Sequence, residues 1–585
     1  DLASARLMIT ADNFLDVWIN GQPVAIPSGE RTSFERGSVL AVGEWLQPGR
    51  NLIAVEAGNE LQGPAGLIAK LVAWEAGGRR LERITNASWR STIAPTEGWT
   101  GPGFDDSAWP AARELGSHGA GPWGEIRAGG LFLPPPRYLR RGFEAADGLR
   151  RATLYASALG IYELRLNGER VADDYFTPGW TDYPDRVYYQ TYDVTGRVRS
   201  GDNALAAVLA DGWYSGHIGW GQRRDHYGTD LRLRAKLVLE YASGLTQVVA
   251  SDGDWKAATG PLLEADFLMG EAYDARLEMP GWDAAGYDDA AWSGVDVTPA
   301  IDAPVQAHPG PLVGELEVFE LVEVTEPTPG VYVLDLGQNF AGVPRLRVRG
   351  EPGQEIVLRF AERLNPDGTI YTTNLRGARA IDRYVCRGEG EEVWQPRFTF
   401  HGFQYVEVTG LDAPPAKGEV VGVALGSRTP QVGTLEVDDP MLTQLLNNIY
   451  WTQRANYIEV PTDCPQRDER LGWTGDAQVY VRTATYLCDV QSFYAKWLVD
   501  LADGQREDGQ FPTVAPLIVS GGDGGPAWAD AGTICPWTIY EVYGDRRLLA
   551  RHYEGMKRYV AFTEGRCTPQ LRPPEQFHCF GDWLN

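Results

Sequence analysis

Three antiparallel β domains followed by the opening helices of a helical barrel or toroid are what this sequence predicts, and three observations carry the prediction. The N-terminal half contains an internal duplication, alternating strands continue after it, and near residue 430 the hydrophobic period changes from two to helical. At 585 residues the length suits about four domains, each large enough to bury its own core.

The duplication rests on four landmarks in the same order. Asp16-Val-Trp-Ile-Asn-Gly21 and Leu46-Gln-Pro-Gly-Arg-Asn-Leu-Ile-Ala-Val55 return as Tyr162-Glu-Leu-Arg-Leu-Asn-Gly168 and Ser200-Gly-Asp-Asn-Ala-Leu-Ala-Ala-Val208. Trp89 is then matched by Trp255, and Gly103-Phe-Asp-Asp-Ser-Ala-Trp109 by Gly286-Tyr-Asp-Asp-Ala-Ala-Trp292. Short alternating runs broken by Gly, Asn and Pro read as two jelly-roll-like β-sandwiches, with the Asn-Gly steps as hairpin turns. Leu133-Pro-Pro-Pro-Arg137 divides the copies and Ala303-Pro-Val-Gln-Ala-His-Pro-Gly-Pro311 ends the second, giving domains over 1–136 and 137–312.

The third β domain, 313–428, holds Val331-Tyr-Val-Leu-Asp-Leu336, Leu346-Arg-Val-Arg349, Ile356-Val-Leu-Arg-Phe360 and Gln404-Tyr-Val-Glu-Val-Thr409, whose alternation implies one wet face. The last domain, 429–585, opens with Asp439 capping a helix begun by Pro440, along which Leu442, Leu445, Leu446 and Ile449 share a face. Further helices are expected over about 474–487, 490–503, 530–543 and 546–563, again by apolar spacing.

Composition narrows the partners. With 79 acidic against 53 basic residues the net charge is −26, which repels nucleic acid and anionic membrane surfaces. The six cysteines all lie in the second half and read as reduced thiols, since a chain this long needs no cross-links. That favours a cytoplasmic protein, with a secreted or periplasmic one left open because the chain begins with neither an initiator Met nor a signal segment and is expected to start inside a longer one. Oligomeric state is not legible.

The chemistry concentrates in Asp463-Cys-Pro-Gln-Arg-Asp-Glu-Arg-Leu-Gly-Trp-Thr-Gly-Asp476. Four carboxylates, two arginines and a tryptophan within so short a stretch imply a polar pocket or a solvated loop, because isolated buried charge is costly. Pro465 and Gly472 interrupt helix there, whereas Ala477, Tyr480, Ala484 and Leu487 keep helical spacing, so the carboxylates sit on a loop leading into a helix. A flat apolar face, hydroxyl acceptors, proton donors and arginines able to hold carboxylates ionised together suit a sugar. The residues alone leave open which carboxylate donates a proton; Asp476 alternatively caps the helix, and Asp468 alternatively pairs with a neighbouring arginine.

This motif, the preceding β domains and Asp335-Leu-Gly-Gln-Asn-Phe340 resemble the bacterial α-L-rhamnosidases of glycoside hydrolase family 78 over nearly the whole chain. The resemblance implies that the helices are the first part of an (α/α)6 barrel and that terminal α-linked L-rhamnose is hydrolysed with inversion from glycosides or polysaccharides. It makes Glu469 the general acid, has Asp463, Arg467 and Asp476 bind the sugar hydroxyls, and gives Trp473, Trp528 and Trp583 as walls of the subsite. Inversion needs a second carboxylate about 6.5–9.5 Å from the acid. The family carries that glutamate, and a histidine, far downstream, so both are expected beyond residue 585.

Catalysis of this kind requires no cofactor. Some family members hold calcium in a rhamnose-binding module, and by resemblance Asp12 with the carbonyls of Asn13 and Pro64 forms a candidate calcium site in the first sandwich, against the plainer reading of a turn-forming Asp-Asn pair. Competing functional readings are a non-catalytic carbohydrate-binding protein and another inverting α/α-barrel hydrolase or phosphorylase. His217 and His226 read as loop positions or sugar-face hydrogen-bonding groups and His401 as strand packing against the helical domain, and Cys464 lacks a base beside it.

Overall fold

The computed structural model describes residues 2–572 apart from 13, 25, 27–35, 60–64, 76–79, 124, 125, 130–132 and 521–524. Two compact units emerge, one comprising residues 1–137 with 256–263 and 289–294, the other the remaining chain.

In the first unit, strands Arg80–Ile84, Leu67–Glu75, Leu2–Ala11, Arg36–Ala41 and Arg127–Gly129 form one sheet in that order, and Gln22–Val24, Phe14–Ile19 and Ile53–Gly58 form another. Alternate residues Leu15, Val17 and Ile19 turn inward to join Leu7, Ile9 and Val42 in one apolar core. The second unit begins with a comparable design. Thr246–Ala250, Arg232–Tyr241, Leu149–Leu159, Val187–Asp193 and Val305–Ala307 make one sheet, and Glu169–Arg170, Ile161–Leu166, Gly201–Ala210 and Arg137–Ala145 run side by side in another.

The repeated landmarks have matching atomic roles. Asn20 and Gly21 take φ of 51° and 83°, and Asn167 and Gly168 take 53° and 89°, the paired left-handed values that a tight hairpin requires. The Asn20 side chain accepts from Leu52 N at 2.9 Å and donates to Asn51 at 2.8 Å; Asn167 accepts from Ala204 N at 2.9 Å and donates to Asn203 at 2.7 Å. Trp89 donates its indole N–H to the carbonyl five residues back, Ile84, and Trp255 does the same to Ala250.

A curled sheet follows, ordered Gly270–Asp274, Ile381–Val385, Glu355–Ala361, His401–Thr409, Val331–Val348, Val420–Ser427 and Val313–Phe319. Its long central strand steps out of register with His401–Thr409 between Asp335 and Phe340, so Leu336-Gly-Gln-Asn339 forms a bulge in which Gly337 takes φ of 73°. Leu334, Leu346, Ile356, Leu358, Phe360, Phe403 and Val408 fill the core beneath it. The expected wet face holds for Glu355–Ala361, where burial alternates, but Val420–Ser427 is buried throughout. The helix Pro440–Asn456 packs against that strand.

A one-turn helix, α1 (Gly212–Ser215), interrupts the second sandwich, and the C-terminal region carries α2 (Pro440–Asn456), α3 (Thr474–Leu487), α4 (Gln491–Asp503), α5 (Ala531–Tyr543) and α6 (Arg546–Arg566). Asp439 caps α2 as expected, accepting from Met441 N at 2.8 Å. The apolar face assigned to α2 does not form a core: Leu442 and Leu445 are 48% and 51% exposed. The helix docks through its C-terminal half instead, with Trp451 against Phe319 and beside Tyr450. No helix among the described residues is long and apolar enough to cross a membrane.

Buried charges join α4 to the second sandwich. Lys496, 1% exposed, lies 3.1 Å from Asp500 and 3.7 Å from Glu459, while His308 Nε2 lies 3.1 Å from the same Glu459 oxygen. Thr181 donates to Asp500 at 2.6 Å, and Arg186 holds Asp503 with both guanidinium arms. Burial alone would raise the Glu459 carboxyl, but His308 and Lys496 outweigh it and hold it below its ordinary value. Replacing Lys496 with Met strands two buried carboxylates and is expected to cost the second unit about 3–5 kcal/mol. The check is the urea midpoint followed by fluorescence, where an unchanged midpoint would show the ion pairs to be energetically neutral.

Glu271 gives a second expectation. Its carboxylate accepts from the backbone N–H groups of Arg397, at 2.7 Å, and Phe398, and burial, with Asp382 adding to it, pushes it up to about 8. A carboxyl raised on folding keeps a proton that the unfolded chain has lost, so stability is expected to fall as pH rises from about 4.3 towards 8, by a few kcal/mol in all. Thermal unfolding across this range should flatten in Glu271→Gln; an identical slope would place the dependence elsewhere.

Candidate active site

The carboxylate-rich segment forms a loop, residues 462–473, between strand Val460–Pro461 and α3. Its ends are pinned together: Asp463 N donates to Leu471 O, and Leu471 N to Asp463 Oδ1, both at 3.0 Å. Gly472 lets the chain pass close to Ala515, since a Cβ there would lie 2.3 Å from the Ala515 carbonyl. Thr474 then donates backbone and hydroxyl to Thr513 O at 2.9 and 2.8 Å, which starts α3 at a defined height.

Glu469 is at the centre, 5% exposed, with φ of 150°, followed by Arg470 at φ of 60°. Two successive residues in backbone regions that L side chains avoid cost on the order of 1–3 kcal/mol each. Hydrogen bonds hold them there. Trp473 Nε1 donates to Glu469 Oε1 at 2.9 Å, whereas Oε2 receives Arg376 Nη2 at 2.7 Å and Arg467 Nη2 at 3.3 Å. Gly219 N, from the loop after α1, donates to the Glu469 carbonyl at 3.0 Å.

Asp463 lies beside this carboxylate, and oxygens of Asp463 and Glu469 and the Cys464 sulfur all fall within 4.8 Å of one another. Burial, and next the charge of Glu469, push Asp463 up to about 7, against the hydrogen bonds from Cys464 and Leu471. Cys464 donates to Asp463 Oδ2 at 2.5 Å and accepts from Arg467 Nε at 2.9 Å. Burial and the adjacent Asp463 drive its thiol far above its ordinary range, the opposite of an activated nucleophile.

The remaining expected residues divide. Asp476 occupies the first turn of α3 and does not cap it, because Trp473 is the N-cap residue. Its side chain opens towards solvent, yet desolvation by neighbouring protein and then Glu469 raise its carboxyl. Trp528 packs over the backbone of Gly475, where a Cβ would meet its ring at 2.7 Å, so it stands next to the turn that carries Trp473. Trp583 lies outside the described residues. Asp468 does pair with an arginine, as expected of a structural residue, but the partner is Arg376 at 2.7 Å and not a neighbour in sequence.

Arg470 corrects an expectation. The sequence has it holding carboxylates ionised, whereas its guanidinium hydrogen-bonds to the carbonyls of Phe267 and Phe400, both at 2.7 Å, over the Phe400 ring. Burial lowers it to about 9. Its work is to fasten the loop onto the β layers beneath.

Three contributors were not foreseen. Arg376 reaches the site from the turn after Thr373–Leu375 in the curled sheet domain, and Gly219 and Trp220 reach it from the second sandwich, with the Trp220 and Trp473 rings 6.2 Å apart. The segment Ile218-Gly-Trp-Gly-Gln-Arg-Arg-Asp225 attracted notice only for its flanking histidines, of which His217 is in fact buried against Asp266 at 2.9 Å. Its glycines and tryptophan were the available signal. The calcium candidate is only partly described: Asn13 and Pro64 lie outside the described residues, and Asp12 Oδ2 accepts from Trp123 Nε1 at 3.0 Å.

A buried carboxyl bonded to an indole N–H and two guanidiniums, a second carboxyl raised by its charge, and flanking tryptophans form a site able to bind hydroxyls and transfer a proton. Comparison with known proteins agrees with this chemistry. Residues 147–316 match the α-L-rhamnosidase N-terminal domain, 325–426 the concanavalin-like domain of bacterial α-L-rhamnosidases and 430–585 their six-hairpin glycosidase domain. An α-L-rhamnosidase of Streptomyces avermitilis is 46% identical over 100% of this chain and 56% of its own length, and one of Formosa agariphila is 38% identical over 77% and 48%. The crystal structure of the Streptomyces avermitilis enzyme complexed with L-rhamnose superimposes with a TM-score of 0.90 at 46% identity, covering 100% of this chain and 57% of that one. A native α-L-rhamnosidase from Aspergillus terreus gives 0.71 at 31% identity, covering 96% and 61%. The chain thus spans about half the length of the curated relatives it matches. With three consecutive domain matches and full-length similarity of this order, the chain belongs to the bacterial α-L-rhamnosidase family.

Proposed function

We propose that this chain carries the sugar-binding and proton-donating part of a site that hydrolyses terminal α-linked L-rhamnose from glycosides or polysaccharides with inversion. The observation that carries the reading is Glu469, a nearly buried carboxylate on a strained loop that reaches the same opening as Trp473, Arg467 and Asp463. Departure of a glycosidic oxygen needs a proton, and we assign its delivery to Glu469. Asp463, Arg467 and Asp476 bind the sugar hydroxyls in this reading, and Trp473 and Trp528 cover its apolar face. The general base is assigned to no described residue. The relatives named above, one of them crystallised with L-rhamnose, support the substrate class.

In the same reading the two sandwiches are jelly-roll-like, α2–α6 are the first part of an (α/α)6 barrel, and the first sandwich holds calcium through Asp12, Asn13 and Pro64. Rhamnose binding measured with and without a chelator tests the metal; indifference to it removes calcium from the account.

Turnover of an aryl α-L-rhamnoside is expected to fall by about 10²–10⁴-fold in Glu469→Gln, with the larger loss for the less acidic leaving group. Undiminished turnover would remove Glu469 from the chemistry, and a retained anomeric configuration by proton NMR would exclude inversion. Asp463→Asn keeps the Oδ1 acceptor for Leu471 N but removes the charge, so the loop should persist while L-rhamnose binding weakens by about tenfold or more. Calorimetric titration beside a thermal melt separates these effects; native affinity would mean that Asp463 serves only the loop.

A further inference from the structure

Among the described residues, Arg376 is the guanidinium at Glu469 that comes from outside the helical domain. Its backbone takes φ of 54° with ψ of −112°, a strained conformation for a residue with a side chain. The next residue, Gly377, lets the turn approach the loop closely, since a Cβ there would lie 2.7 Å from Asp468 Oδ2. Leu375 O accepts from Asp468 N at 3.2 Å, so the turn and the loop are joined through backbone as well as side chains. Behind the turn, Asn374 and Asn339 donate to the two oxygens of Glu362 at 3.3 and 2.9 Å, which links the bulge of the central strand to the site. Gln222, from the loop that carries Trp220, donates to Gly377 O at 3.2 Å.

The side chain uses its fork on two carboxylates at once. Nε lies 2.7 Å from Asp468 Oδ1, and Nη2 lies 2.7 Å from Glu469 Oε2 and donates to the Asp468 carbonyl. The arginine side chain is 40% exposed, against 7% for each carboxylate side chain. A surface ion pair of two freely moving chains contributes little, but here both acceptors are fixed by the strained loop, so the guanidinium can set their orientation.

We propose that Arg376 is a positioning residue for the reaction, fixing the orientation of the Glu469 carboxyl against Asp468. This rests on the reading of Glu469 as proton donor. The other groups facing Glu469 are Arg467, Asp463 and Cys464 from the loop and Asp476 from α3; Gly219 contributes a backbone N–H and no charge. Arg467 stands 3.3 Å from the same oxygen and also contacts Cys464 and Asp463, so it cannot replace the fork on Asp468. Lysine at position 376 would keep the charge and lose the two-carboxylate grip.

The test compares aryl α-L-rhamnoside hydrolysis by the protein with that of Arg376→Gln and Arg376→Lys, each variant checked by a thermal melt. With Arg376→Gln, kcat is expected to fall about tenfold while KM stays within about twofold. Arg376→Lys keeps a positive charge without the two-carboxylate grip, so its kcat should stay at least about threefold low at native KM. Native kcat in either folded variant, or a loss carried by KM alone, overturns the proposal; if the Gln variant fails to fold, the Lys variant decides alone. Turnover that survives Glu469→Gln would instead overturn the assignment of the proton donor.

Discussion

The second unit depends on compensation of buried charge. Lys496 and Asp500 on α4, Glu459 just ahead of the active-site loop, His308 after the second sandwich and Thr181 and Arg186 within it form one group shielded from water. Removing Lys496 takes from Asp500 and Glu459, both desolvated, the cation they share, at a cost comparable to a sizeable share of a domain's stability. The segments that supply them are therefore held together as a set. Glu459 lies four residues before Asp463, so whatever holds Glu459 also holds the start of the carboxylate-rich loop.

The loop itself is anchored on three sides. Arg470 ties it down to the Phe267 and Phe400 carbonyls, Arg376 grips Asp468 and Glu469 from the curled sheet, and Gly219 bonds the Glu469 carbonyl from the second sandwich. These anchors offset the backbone strain at Glu469 and Arg470, which would relax in an isolated loop. The β domains thus do more than precede the helices in sequence. They supply an arginine that bonds the Glu469 carboxyl and a backbone N–H that bonds its carbonyl.

Local rules made much of this legible. The Asn-Gly hairpins, the Asp439 cap and the extents of α3–α6 follow from turn chemistry, capping and apolar spacing, all of which act over a few residues. The internal duplication was readable because the same side chains make the same bonds twice. The density of carboxylates between 463 and 476 marked the site, since no core position tolerates it. The apolar stripe of α2 was visible too, but a stripe says only that a face is able to be buried, and Leu442 and Leu445 remain exposed.

By itself the sequence determined which local elements form, where carboxylates and arginines concentrate and which family the chain resembles, because those depend on local propensity and on residue types packed into a short stretch. Only the tertiary structure decided that Asp468 pairs with Arg376, that Arg470 bonds to the Phe267 and Phe400 carbonyls, and that Trp220 stands beside Trp473. Arg376 and Asp468 are separated by 92 residues of chain, and no periodicity or motif encodes a meeting over that distance. Long-range pairing of charges is settled by how whole layers pack, and a charged side chain takes the partner that packing brings within reach.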